Sequence, residues 1–168
     1  TRQTRAAGGG AAPQGAGTRS PLSATLDKQP YSVNSRFGAE DGRPGANRGE
    51  LVAAAHSGCF TMALAFQLTN AQLVPTELTT VATVTMEKLE PGWTITGIHL
   101  DVAGKVPGID NEKFVELAET ANKGCPISRA LSATPNSMSA KLVYRHSLLG
   151  QAPVPYVPRT SYCPRAGP

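Results

Sequence analysis

Stacking aromatics are scarce: the 168 residues hold one Trp, four Tyr and four Phe, and none is interleaved with basic residues in the way single-strand binding requires. Charged residues make up only 17% of the chain, and much of the net +4 sits near the two ends, in Arg2, Arg5, Arg19, Arg145, Arg159 and Arg165. Without a central basic patch, nucleic acid is not expected as a partner. Long unbroken apolar runs are missing too. The longest stretch, LVAAAHSGCFTMALAFQL, is interrupted by His56, Ser57 and Gln67, which suits a core helix better than a membrane span, so no membrane is expected. The first thirty residues carry no apolar h-region, and a cytoplasmic, reducing setting is the default expectation, with the three cysteines as free thiols. No second close ligand pair of the C-x-x-C kind accompanies them, and the glycines of GGGAAPQGAG are not followed by Lys-Ser/Thr. Neither a metal nor a nucleotide cofactor is therefore expected.

What is present is one domain's worth of chain with an ordered middle. Residues 1–24 are rich in Gly and Ala and lack period-2 alternation, which reads as a flexible segment or a Gly-interrupted hairpin. Asn47 and Glu50 have the spacing of a capping box, so a helix is expected from Arg48 to near Thr69. Alternating β-branched residues on both sides of the EPG turn predict a hairpin with strands over 77–88 and 93–105. Asp110 as N-cap, with Phe114, Leu117, Ala118 and Ala121 at helical spacing and Gly124 as the stop, predicts a second helix of about thirteen residues. SMSAKLVY supplies a last strand, giving an α/β arrangement of two helices against an antiparallel sheet. Five prolines between 145 and 168 mark a tail after a domain spanning 1–144.

Two cysteines are the chemical candidates. Cys125 precedes Pro126 and the helical ISRAL, so it falls at an N-cap with Pro at N1, where amide dipoles stabilise a thiolate. It is either reactive by that location or a small buried packing residue. Cys59 lies in mid-helix among Ala, Phe and Met, where desolvation raises a thiol pKa and leaves it inert unless a cation shares the site. The polar approach to the helix offers Arg36, Arg43 and Arg48 with the carboxylate of Glu50, and spacing alone does not choose among the arginines. Glu50 lies half a turn around the helix from Cys59 at about 100° per residue, so one chain cannot place both on one face and a neighbouring subunit could supply the missing group. His56, one turn before Cys59, is a satisfied core histidine or, with the two cysteines, an incomplete zinc set. Phe60, Met62 and Phe66 are core residues or the lining of an apolar pocket. Cys163, in the Pro-rich segment, is an odd thiol open to oxidation.

The segments QPYSVNSRF, GELVAAAHSGCFTMALA, VPGID and GCPIS, in this order and spacing, resemble the OsmC/Ohr family of organic hydroperoxide reductases, in its OsmC branch. The resemblance runs from about Leu26 to Ala133, with a looser echo of the family's N-terminal hairpin in GAGTRSPLSATL. Where the family has NPEEL this chain has NRGEL, which loses a proline and one acid but keeps Glu50. The resemblance implies an α/β (α+β) protomer with antiparallel sheets wrapped around buried central helices, intertwined with a second copy into a homodimer. It implies Cys59 as the peroxidatic cysteine, Cys125 as the resolving one, Arg36 as the activating arginine and Glu50 as the carboxylate that orients it. A buried guanidinium would then hold the Cys59 thiolate, each pKa unit requiring about 1.36 kcal/mol of differential stabilisation. The implied reaction is reduction of an organic hydroperoxide to the alcohol through a Cys59 sulfenic acid and a Cys59–Cys125 disulfide, reopened by an external dithiol or lipoyl-type reductant. A rival from another class is a non-catalytic module of the same fold that binds a small hydrophobic ligand or senses oxidation.

Overall fold

The computed structural model describes residues 4–9, 16–21, 26, 28–32, 48–90, 92–132 and 141–146. The chain divides into two compact units, residues 1–48 with 153–168 and residues 49–152. The first unit holds β1 (Thr4–Gly9), β2 (Ala16–Pro21) and β3 (Gln29–Ser32) in one three-stranded sheet of that order. β1 pairs antiparallel with β2 from Thr4↔Pro21 to Gly9↔Ala16, and β2 pairs antiparallel with β3. Of the two states expected within residues 1–24, the described residues 4–9 and 16–21 adopt the paired strands of the hairpin. Glycine weakens a strand but leaves its backbone hydrogen bonds available to the ladder.

The second unit is built from helix α1 (Arg48–Asn70), strands β4 (Glu77–Leu89) and β5 (Gly92–Lys105), helices α2 (Asn111–Gly124) and α3 (Pro126–Ser132), and strand β6 (Lys141–His146). α1 begins at Arg48 as its pattern predicts; Asn47, the expected cap, lies outside the described residues. Glu50 sits in its first turn, where the helix dipole favours an acid. The helix stops on a left-handed Gln72, φ 60°, with Gln72 N–H bonded to Thr69 O and Leu73 N–H to Leu68 O, both at 2.9 Å. That pairing satisfies two of the last carbonyls and turns Leu73 back onto the core. By length and composition α1 could cross a membrane, but His56, Phe60, Leu64 and Leu68, four residues apart, are buried within this unit.

β4 and β5 form the expected hairpin, in register from Glu77↔Lys105 to Leu89↔Gly92 with a bulge between Thr85 and Met86. Ile98, Leu100, Val102, Gly104 and Val106 alternate into the core from the β5 side. The sheet, ordered β4-β5-β6, is mixed rather than antiparallel as expected, because β6 pairs parallel with β5 from His99↔Lys141 to Gly104↔His146. The connection carries α2 and α3, and a crossover of that length returns the chain in the same direction. β6 also runs through Arg145 and His146, two residues beyond 144; the rest of the Pro-rich segment, with Cys163, is outside the described residues.

Asp110 caps α2 as expected, its carboxylate accepting from Lys113 N–H at 2.7 Å. The stop differs. Gly124 is the last helical residue, and Cys125 is the cap, extended at φ −67°, ψ 119°, with its N–H bonded to Ala121 O at 2.8 Å. Pro126 is the reason: proline excludes the residue before it from helical geometry, so α2 must end at Cys125 and α3 can start at once. The core gathers Phe60, Leu64 and Leu68 of α1, the β5 row and Phe114, Leu117, Ala118, Ala121 and Cys125.

Candidate active site

The site grows from the junction of α2 and α3 facing the middle of α1. Cys125, fully buried, ends one helix and caps the next: its carbonyl accepts from Arg129 N–H at 3.0 Å, the first turn of α3. The thiol occupies the place of an N-cap side chain, and the free amides of Ile127 and Ser128 donate to its sulfur. Cys59 lies on α1 at the border of the buried stripe, three residues after His56 and one before Phe60, and is partly buried against the same core. The two sulfurs, 66 residues apart in sequence, are 3.3 Å apart. A disulfide bond of about 2.05 Å is little more than an ångström shorter.

The two thiols feel opposite fields. Burial pushes the Cys59 thiol above its ordinary value, and neighbouring Cys125 adds to the rise against the Ile127 amide, which donates to Cys59. Burial is also the largest single influence on Cys125 and acts in the same direction, but hydrogen bonds from the Ser128 hydroxyl, the Ser128 amide, Cys59 and the Ile127 amide together outweigh it. The Cys125 thiol is therefore held below its ordinary value. Among the described residues the pair thus favours the anion on Cys125.

His56 is buried, and its Nε2 lies 2.8 Å from Ser128 Oγ, three residues after Cys125. Burial holds the imidazole below its ordinary value, so it is neutral at pH 7. Its Nδ1 and the nearby Asn122 Oδ1 are buried without a hydrogen-bond partner among the described residues. Both residues line a cavity of about 350 Å3 with Ile98, Lys123, Ser128 and Arg129. No group of three or more His, Cys, Asp or Glu side chains is arranged to hold a metal among the described residues.

Of the four residues singled out in the sequence, Cys59 and Cys125 meet; Glu50 is exposed in the first turn of α1, and Arg36 lies outside the described residues. Phe60 is wholly buried in the core, whereas Met62 and Phe66 are 64% and 65% exposed on the protomer. Ser128 and the Ile127 amide were not legible as site groups. The only signal for them is the cap itself, since an N-cap at Cys125 aims the amides at 127 and 128 toward it.

A family model described as OsmC-like protein matches residues 39–139. The chain is 42% identical over 120 residues to Peroxiredoxin OsmC of Escherichia coli (strain K12), covering 71% of this chain and 82% of that protein. Peroxiredoxin OsmC of Shigella flexneri gives the same values. Among solved structures, the fold is similar to the organic hydroperoxide resistance protein OhrB of Bacillus subtilis, with TM-score 0.65 and 24% identity, covering 88% of this chain and 98% of that one. It is similar also to an OsmC like protein from Mycoplasma pneumoniae, with TM-score 0.67 and 11% identity, covering 87% and 96%.

Proposed function

The chain belongs to the OsmC-like protein family, and on that premise we propose that it is a cytoplasmic thiol peroxidase reducing organic hydroperoxides with Cys59 and Cys125. The observation that carries the reading is the 3.3 Å separation of two free thiols brought together from distant parts of the chain. Its relationship to proteins named peroxiredoxin supports peroxidase-type chemistry.

In this reading the Cys59 thiolate attacks the distal oxygen of ROOH, the O–O bond breaks, and ROH leaves after taking a proton. Cys59 is left as a sulfenic acid. Cys125, giving up its thiol proton, then attacks the Cys59 sulfur, the S–O bond breaks, and water departs as the disulfide forms. The low-lying Cys125 thiol suits this second step. The first step needs a cation at Cys59, because burial alone leaves that thiol protonated; Arg36, oriented by Glu50, is the proposed source. An external dithiol or lipoyl-type reductant closes the cycle. A second copy of the chain is proposed to cover the apolar outer side of α1, where Met62 and Phe66 are exposed beside Ala54, Ala55 and Gly58. The proposed domain over residues 1–144 carries this activity.

Steady-state turnover of cumene hydroperoxide with dithiothreitol as reductant tests the proposal. The parent protein turns over, Cys59→Ser is inactive, and Cys125→Ser accumulates sulfenic acid on Cys59 that over-oxidises. A parent protein without turnover contradicts the reading. The field at the pair favours a second order of events in which Cys125 attacks first; in that case Cys59→Ser, and not Cys125→Ser, accumulates the sulfenic acid.

A further inference from the structure

Ser128 stands where two hydrogen bonds cross. Its Oγ is 2.8 Å from His56 Nε2, in a buried contact between residues 72 apart in sequence, and its hydroxyl also reaches Cys125. A serine hydroxyl has one proton to give. If that proton goes to a Cys125 thiolate, His56 must be the donor to Oγ through Nε2–H. If Cys125 is a thiol donating to Oγ, the serine proton points to an unprotonated Nε2 and the ring carries its hydrogen on Nδ1. The two arrangements differ by one proton moved along two hydrogen bonds. Nothing among the described residues pins the tautomer, because Nδ1 is buried without a partner and the ring borders the cavity described above.

We propose that Ser128 and His56 form a proton relay for Cys125, with Ser128 in contact with the reacting sulfur and His56 a positioning residue that acts through it. The inference rests on the two-cysteine reading and concerns its second step. As Cys125 attacks the Cys59 sulfenic acid, its proton passes to Ser128 Oγ and the serine's own proton passes to His56 Nε2. The Nδ1 hydrogen leaves through the cavity to solvent. The S–S bond forms, the S–O bond breaks with its electron pair on oxygen, and the hydroxide takes up a proton from solvent to leave as water. Protons and electrons balance with no further reactant. The charged groups that border the same cavity as His56 are Lys123 on α2 and Arg129 on α3, while β5 presents neutral Ile98 and α1 carries Cys59 one turn on. Among the described residues that cavity has two cations and no acid, which discourages a lasting imidazolium, so the ring passes the proton on.

The test has two arms. In a Cys59→Ser background, with no peroxide, the alkylation rate of Cys125 by iodoacetamide is followed against pH for Ser128, Ser128→Ala and Ser128→Thr. The relay requires Ser128→Ala to shift the ionisation upward and cut the rate at pH 7 by about tenfold, the equivalent of one pKa unit, and Ser128→Thr to restore it. In the full chain, stopped-flow traces with cumene hydroperoxide should show sulfenic acid forming at the parent rate in His56→Gln and Ser128→Ala, while disulfide formation slows by a similar factor. His56→Gln, which keeps a hydrogen-bonding amide but moves no proton, should also flatten the pH profile of that second phase. An unshifted Cys125 profile in Ser128→Ala, or a Thr variant no better than Ala, overturns the relay. A parent chain that forms no disulfide overturns the two-cysteine reading instead, and thermal melts separate either result from misfolding.

Discussion

At the scale of single residues, the chemistry turns on which of two touching sulfurs carries charge. Cys125 gathers amides and a hydroxyl; Cys59 has burial against it and one amide in its favour. On the role proposed for Arg36, an Arg36→Met variant is expected to slow sulfenic acid formation by at least an order of magnitude, while urea unfolding is little changed. His56 gives a pH dependence with a definite sign. Its folded value lies below the ordinary 6.5, so the unfolded chain binds a proton that the folded chain refuses. Stability is complete above about pH 6.5 and falls as the pH drops below it. Thermal unfolding midpoints between pH 7.5 and 5.5 should show that fall, and His56→Gln should reduce it. The cap at Cys125 was legible in Gly-Cys-Pro, because proline constrains its neighbour locally. The meeting of Cys59 with Cys125, and of His56 with Ser128, was not: contacts across 66 and 72 residues depend on how helices pack, and only the family resemblance suggested the first.

At the scale of elements, local patterns carried most of the information. The hairpin and the start of α1 fall where alternation and the spacing of Asn47 and Glu50 put them. The direction of β6 was not legible, because a strand's side-chain pattern is the same whether its neighbour runs parallel or antiparallel. One glycine fixes how α2 approaches the sheet. A Cβ on Gly104 would lie 2.6 Å and 2.7 Å from the ring of Phe114, which is fully buried and has no room to retreat. Gly104→Ala is expected to lose about 1–3 kcal/mol of stability by overpacking, read as a lower urea midpoint. Gly97→Ala on the same strand, where nothing lies within 4 Å, should lose none.

At the scale of the whole molecule, family membership and fold agree, since the solved structures similar to this chain cover 88% and 87% of it. The proposed second copy accounts for an apolar helix whose one side is core and whose other side leaves Met62 and Phe66 in the open; patches of that kind mark interfaces. Sedimentation should give twice the protomer mass for the parent chain and the protomer mass for Phe66→Asp. The central claim, that Cys59 and Cys125 are a redox pair, is tested most directly by adding one equivalent of cumene hydroperoxide to the reduced protein and measuring intact mass, followed by peptide mapping without reductant. The account predicts a loss of about two mass units and a single cross-link between the peptides holding Cys59 and Cys125, on the stoichiometry of disulfide formation. An unchanged mass, or a cross-link that leaves either of those two cysteines free, would contradict it.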